Sequence, residues 1–358
     1  MKHRRLGRTG LMVPPISLGT FTFGGRGSFG AVGTQGPDEA RRLVDLALER
    51  GATLIDTANM YSLGLSEEIV GEVLEGRRDD TLICTKARMP IGDGPNDEGA
   101  SRWHLIRECE RSLKRLRTDR IDIYLVHEWD GLTPPEETAA AMERLIAEGK
   151  IRHWGISNYS GWQASKAIYA AEAAGLERPA CQQIHYTLEA REAEYELLPL
   201  SVDAGLGVMV WSPLAAGLLT GKHGPDGFGA GSRQDKGWTE QPVRDPDRLW
   251  RIVDALKEVA SARGASPAQV ALAWLLGRPA ISTLVVGARD ETQLAETLDA
   301  ADMTLTEEER GRLDAVSRPP LLYPHWHQHQ FCAPRFTEAD RALHDGQEVD
   351  GMDWYEGR

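Results

Sequence analysis

No stretch of the chain strings together the ~18 apolar residues that a membrane helix requires, so no membrane role is expected. Cysteine is scarce: Cys84, Cys109, Cys181 and Cys332 lie far apart and form no C-x-x-C pair. That pattern reads as buried thiols in a reducing compartment, not as a disulfide framework. The basic opening MKHRRLGRTG has no apolar core behind it and does not read as a secretory signal. The expected setting is therefore the cytoplasm. Positive charge is also in deficit, with 41 Lys and Arg against 54 Asp and Glu and a formal net charge of −13. Such a balance argues against a nucleic-acid partner, which wants a basic footprint, yet permits a local basic pocket for a phosphate.

What the chain does have is a repeat of short β-like runs and longer helical ones. Strands are expected at 14–20, 53–57, 81–86, 121–127, 151–157, 180–186, 206–212 and 282–288, each followed by a segment readable as a helix. Examples of the helices are 38–51, 66–76, 101–116 and 134–150. In the first, Ala40, Leu43, Val44, Leu46 and Ala47 recur at helical spacing, and Gly51 supplies the stop. Near-continuous apolar strands joined through helices imply a parallel sheet covered on both faces. Eight such units in one chain close most naturally into an α/β (β/α)8 barrel over 1–317. RRLGRTGLMV reads as a hairpin before it, turning at Thr9-Gly10. Three segments stand outside the repeat: a glycine-rich loop at 24–37, a long loop after the seventh strand, and a C-terminal tail over 318–358. Long loops on the C-terminal face of a barrel build ligand lids. The tail reads as a lid, a substrate-pocket wall or a subunit contact in a possible homo-oligomer.

The strand ends carry the chemistry. The second ends at Asp56, the third at Lys86 and the fourth at His127. The fifth runs into Ser157-Asn158, the sixth carries Gln183, and the seventh runs into Trp211-Ser212. In a (β/α)8 barrel these ends share one mouth. A buried lysine there needs a carboxylate, and Asp56 on the neighbouring strand supplies it. Tyr61, five residues past Asp56, can reach the same mouth. A tyrosine titrates near pH ~10 in water, but a neighbouring ammonium stabilises the tyrosinate. Such a tyrosine can protonate a carbonyl oxygen as a hydride reaches its carbon, while His127 donates a hydrogen bond to that oxygen.

With these residues the sequence resembles an aldo-keto reductase over roughly 1–317. The segments that carry the likeness are LGRTGLMVPPISLGT, GATLIDTANMYS, SLKRLRTDRIDIYLVH, GKIRHWGISN, WSPLAAGLLTGK and VVGARDETQLAET. The resemblance implies a catalytic tetrad of Asp56, Tyr61, Lys86 and His127, no metal, and a small carbonyl or alcohol substrate. It also implies NADP(H) lying extended across the barrel mouth. Gly19, Thr20 and Phe21 would border the nicotinamide, Ser157, Asn158 and Gln183 its carboxamide, and Trp211 its ring. Ser212, Pro213, Leu214, Ala215 and Gly217 would line the pyrophosphate, with Lys222 nearby. Gly287, Arg289, Gln293 and Glu296 would hold the adenosine end. Arg289, whose planar fork matches phosphate oxygens, favours NADPH over NADH. Thr297 departs from the family, which commonly has Asn there.

Potassium-channel β-subunits also resemble the chain, and they offer the alternative of an NADP(H)-binding sensor subunit. His127 argues against it, since those relatives carry another residue at that place. A Schiff-base aldolase using Lys86 is a third reading. Two motifs compete for attention. GRGSFG at 25–30 imitates a dinucleotide-binding G-x-G-x-x-G, but no helix is expected to open at Gly30. HWHQHQFC places His325, His327, His329 and Cys332 on a segment expected to be irregular; it lacks a second ligand cluster and reads as lid or packing. Phe21 and Trp129, with Tyr186, are expected near the mouth, where they suit a sugar ring or an aromatic aldehyde.

Overall fold

The structure, a computed structural model, describes residues 1–228, Ser232 and 243–346. Strands β1 (Arg4–Arg5) and β2 (Met12–Val13) form the expected hairpin. Then β3 (Ile16–Gly19), β4 (Leu54–Asp56), β5 (Leu82–Ala87), β6 (Ile121–Val126), β7 (Ile151–Ser157), β8 (Cys181–His185), β9 (Gly207–Trp211) and β10 (Ile281–Val286) run parallel. They close in sequence order, with β10 returning to β3, as an eight-stranded barrel. The strands are a residue or two shorter than the apolar runs in most cases, because the flanking residues turn away into loops.

The barrel is jacketed by α1 (Pro37–Glu49), α2 (Leu65–Val73), α3 (Arg102–Arg115), α4 (Pro135–Ala147), α5 (Gly161–Ala173), α6 (Leu197–Ala204), α7 (Pro246–Arg263), α8 (Pro267–Leu276), α9 (Glu291–Leu298) and α10 (Glu307–Ser317). The start of α1 follows local rules: Pro37 at its first position, and Asp38 and Glu39 in the first turn against the helix dipole. Its inner face buries Ala40, Leu43, Val44 and Ala47, while Leu46 is only half-buried.

Strand parity places the site. Side chains alternate between the barrel interior and the helix layer. Leu54, Cys84, Ile123, Leu125, Cys181 and Met209 form one interior cluster, which Leu6 and Val13 of the hairpin region join. Ile55, Tyr124, Val126, Ile184 and Val210 instead pack in the outer core under the helices. Two residues beyond the interior apolar positions stand Asp56, Lys86, His127, Gln183 and Trp211. The same period that fills the core with hydrocarbon therefore aims these five side chains into the mouth.

The tail differs from the expectation of an irregular segment. It forms α11 (His325–Cys332) and α12 (Glu338–His344), the latter packed against α6. Tyr195 donates to the Pro320 carbonyl at 2.6 Å and stacks on His325 at 5.3 Å. Most of the loop over 221–243 and the tail beyond Gly346 lie outside the described residues.

Helix α2 crosses α3 at Gly71, where an added Cβ would stand 2.4 Å from the Arg115 carbonyl oxygen. The contact is with backbone and not with the end of a flexible side chain, so overpacking is expected to dominate the entropy gained from alanine. Gly71→Ala should lower stability by about 1–3 kcal/mol. Urea unfolding followed by far-UV circular dichroism would measure it, and an unchanged midpoint would refute the close crossing.

Candidate active site in the barrel mouth

Asp56 ends β4 beside Cys84 of β5, and Lys86 stands two residues further along β5. The ammonium of Lys86 is fully buried and donates to Asp56 Oδ1 at 2.5 Å and to the Thr57 carbonyl at 2.8 Å. Asp56 Oδ2 accepts from Gln183 Nε2 at 2.7 Å, so a strand across the barrel fixes the carboxylate. Burial pulls the Lys86 pKa down, but Asp56, and then Tyr61, outweigh it and push the pKa above its ordinary value. A lysine held charged has no free amine for a carbonyl, which removes the nucleophile that Schiff-base chemistry needs.

Above this pair lies Tyr61, with the Lys86 nitrogen 5.1 Å from its ring centroid. The segment carrying Tyr61 is laid along the end of β5 by Thr57 N to the Cys84 carbonyl (2.8 Å) and Asn59 N to the Lys86 carbonyl (3.0 Å). Asn59 also donates its side chain to the buried Glu108 of α3 at 3.0 Å. His127, following β6, faces Tyr61 with ring centroids 5.9 Å apart. Burial, with the charges of Lys86 and Arg88, holds the His127 ring well below its ordinary pKa of 6.5, and its Nδ1 finds no protein partner. The imidazole is neutral near pH 7.

These side chains open on a cavity of about 470 Å³. Its wall includes Gly19, Thr20, Phe21, Asp56, Tyr61 and His127 at one end. Ser157, Asn158, Gln183 and Trp211 line its middle, where Trp211 Nε1 donates to Asn158 Oδ1 at 2.9 Å. Asn158 in turn donates to the His127 carbonyl at 3.1 Å, and Ser157 to the Gln183 carbonyl at 3.0 Å. The wall continues through Ser212, Pro213, Leu214, Gly217 and Lys222 to Gly287, Arg289 and Gln293. His223 lies at that far end, lowered from its ordinary pKa by burial and by the charges of Lys222 and Arg289. Two permanent cations thus serve one end, while Asp56, already paired, is the only carboxylate among the described wall residues.

Three expected site residues stand off the wall. Lys86 lies beneath Tyr61; Ala215 is fully buried in the turn after β9; Glu296 is half-buried on α9, its carbonyl accepting from Gln269. Thr297 spends its hydroxyl on the Gln293 carbonyl of its own helix. Of the three aromatic candidates, only Phe21 lines the cavity. Trp129 packs on Tyr159 and Trp162, and Tyr186 is fully buried against Trp274 with its hydroxyl on Glu194. A side chain on the loop after a strand can turn outward, and Tyr186 falls one residue past β8, on the helix-facing parity.

Sequence reasoning missed Thr22, Ala31, Val32, Met60 and Met89, which join the cavity wall. They sit on loops without periodicity; only the glycine-rich loop's position after β3 pointed to the mouth. GRGSFG itself forms a short 3-10 turn at Gly27–Ala31, and no helix opens until Pro37. Among the described residues no group of three His, Cys, Asp or Glu could hold a metal. His329 and His344 instead stack at 5.4 Å on the outer wall. Cys84, Cys109 and Cys181 are buried free thiols, and burial pushes the last two up to about 12.

Comparison with known proteins places this geometry. Residues 15–318 match the Aldo/keto reductase family. The chain is 37% identical over 327 residues to a protein named probable voltage-gated potassium channel subunit beta from Oryza sativa subsp. japonica, covering 88% of this chain and 96% of that one. It is 38% identical over 319 residues to the uncharacterized oxidoreductase YrpG of Bacillus subtilis, covering 86% and 93%. A protein of Arabidopsis thaliana with the same channel-subunit name is 35% identical, covering 85% and 92%.

The neutral His127 has a thermodynamic signature. Its folded pKa is depressed, so below pH ~6.5 the unfolded chain gains a proton that the folded one refuses. The stability this neutral ring contributes is complete above that pH and is lost as pH falls below it. Replacing His127 by Gln should flatten the fall in unfolding free energy between pH 6.5 and 5 by about one proton's worth of slope. Parallel slopes for both proteins in urea titrations would contradict the buried, neutral ring.

Proposed function

The chain belongs to the aldo/keto reductase family, and on that premise we propose that it is an NADP(H)-dependent oxidoreductase that reduces an aldehyde, ketone or keto-sugar to the alcohol, reversibly. The observation that carries this reading is the stack of Asp56, Lys86 and Tyr61 beside a neutral His127 at one end of a cavity whose other end is basic. A cavity long enough to reach from His127 to Arg289, with Lys222 and Arg289 together at the far end, fits an extended dinucleotide with its phosphates away from the reacting end. When bound, the nicotinamide supplies the hydride.

The chain's own residues account for the proton. Lys86 cannot shed its charge against Asp56 and sits beside the phenol ring, where it favours tyrosinate in the transition state. Tyr61 therefore gives its proton to the carbonyl oxygen as negative charge develops there, and takes it back in the oxidative direction. His127, uncharged and with Nδ1 unpartnered, offers its other ring nitrogen as the donor that orients that oxygen. Gln183 holds Asp56, so the carboxylate is not drawn towards the substrate. Phe21, which packs edge-on against Tyr61 at 5.2 Å between ring centroids, and the apolar wall residues Val32, Met60 and Met89 limit water in the cavity. Arg289 supports NADPH over NADH through its match to a 2′-phosphate.

The names of the rice and Arabidopsis relatives support a second reading, an NADP(H)-binding regulatory subunit. The two share the cofactor and differ in turnover. Tyr61→Phe removes the transferable proton without altering the cavity shape. Turnover of an aldehyde panel, followed by NADPH absorbance, should fall by on the order of 10³-fold, with NADPH affinity unchanged by fluorescence. Retained turnover would refute Tyr61 as the proton donor; a wild type that binds NADPH but reduces nothing in the panel would favour the regulatory reading. Arg289→Ala should weaken NADPH binding by about 10- to 100-fold, the loss of a charge-assisted pair, and leave NADH nearly unchanged. Equal losses for both nucleotides would remove the 2′-phosphate assignment.

A further inference from the structure

The glycine-rich loop is more than a wall of the cavity. It is pinned shut at its base, where Gly24 N donates to the Gln35 carbonyl at 2.9 Å and the amides of Thr34 and Gln35 donate to the Thr22 carbonyl at 3.1 and 3.2 Å. The Gln35 side chain, 3% exposed, is fully committed there. Its Nε2 donates to the carbonyls of Ala288 and Arg289 at 2.8 and 3.0 Å, and its Oε1 accepts from Thr22 Oγ1 at 2.5 Å. One amide thus ties the loop to the turn that carries Arg289.

The same base holds the segment that carries Tyr61. Ser62, fully buried, accepts from Gly25 N at 2.9 Å and donates to the Phe23 carbonyl at 3.0 Å. An added Cβ on Gly24 would lie 2.9 Å from the Ser62 side chain, so only glycine permits the approach. Ser62 and its neighbour Leu63 both take left-handed conformations, with φ of 50° and 54°. Non-glycine residues persist in that region only where their surroundings over-determine them. The loop also reaches the phenol directly, since Phe29 packs on Phe21 at 5.3 Å and on Tyr61 at 6.2 Å between ring centroids. A continuous path of hydrogen bonds therefore runs from the Arg289 turn through Gln35 and the loop base to Ser62, next to the proton donor.

We propose that Gln35 is a positioning residue that couples the nucleotide end of the cavity to Tyr61: filling the Arg289 end steadies the strained Ser62–Leu63 pair and so the phenol beside it. This rests on the cofactor reading above. The coupling element is the left-handed pair, which is held by Ser62's two bonds and relaxes when the loop base loosens.

The test uses the full chain and adenosine 2′,5′-bisphosphate, which carries the 2′-phosphate but no nicotinamide and so cannot reach Tyr61. Hydrogen exchange read by mass spectrometry over residues 57–64 should slow on the order of tenfold when this probe saturates the wild type. In Gln35→Leu, with saturation verified by calorimetry, the slowing should fall below about twofold, and in Ser62→Ala likewise. Ser62→Ala carries the test if Gln35→Leu does not fold. Undiminished protection in the variants would overturn the coupling while leaving the cofactor reading intact. Failure of both the probe and NADPH to bind the wild type would overturn that reading, and this inference with it.

Discussion

One buried ammonium organises the mouth of this barrel. Lys86 has no exposed surface, and removing a charge from water costs several kcal/mol even after relaxation. Two oxygens offset that cost, one on Asp56 and one on the Thr57 carbonyl. Both belong to the segment that leads into Tyr61. Satisfying the lysine therefore fixes where β4 ends and how the chain leaves it, and the phenol is carried to the ammonium by the same bonds. Gln183 extends the constraint across the barrel by occupying the second oxygen of Asp56. Losing one partner would leave an uncompensated charge, a penalty of about 3–5 kcal/mol. The arrangement is therefore costly to perturb by halves.

Much of this was legible because a strand has period two and a barrel has a closed interior. Once Leu54, Cys84, Leu125 and Cys181 are taken as interior, the residues two further on must face the mouth, whatever the details of the loops. Asp56, Lys86 and Gln183 were readable on that ground, and the register of neighbouring strands brings them together. The loops were not readable in the same way. Trp129 turns outward from a loop whose spacing says nothing, whereas Tyr186 shares the helix-facing parity of Ile184 and could have been read as outward. Met60, Met89 and Val32 reach the cavity from segments without periodicity. The tail's His-rich run forms a helix although its pattern has no apolar stripe, because packing of α12 on α6 and of Tyr195 on His325 supplies the surroundings that the local sequence lacks.

His127 and His223 stand at different ends of the cavity and are lowered alike, by burial first and then by two neighbouring cations. His127 is burdened first by burial and then by the charges of Lys86 and Arg88. His223 is lowered by burial and then by the charges of Lys222 and Arg289. An overall charge of −13 makes such a basic end a local feature, set against an acidic exterior. A basic end of this kind draws an anion by position and not by net charge.

Rigid strands and adaptable loops meet at Ser62. The barrel fixes Asp56 and Lys86 through its ladder, but Tyr61 lies five residues beyond the last ladder pair and would wander without further bonds. Asn59 ties it back to β5 and to Glu108. Ser62 ties it forward to the glycine-rich loop, at the cost of two consecutive left-handed residues, each worth of order 1–3 kcal/mol of strain. That strain is tolerated because the hydroxyl finds both a donor and an acceptor on backbone that only glycine allows so near. Gly24 lets the loop backbone close against the Ser62 side chain, and Gly25, the first glycine of the GRGSFG run that imitates a dinucleotide motif, donates its amide to the Ser62 hydroxyl beside Tyr61.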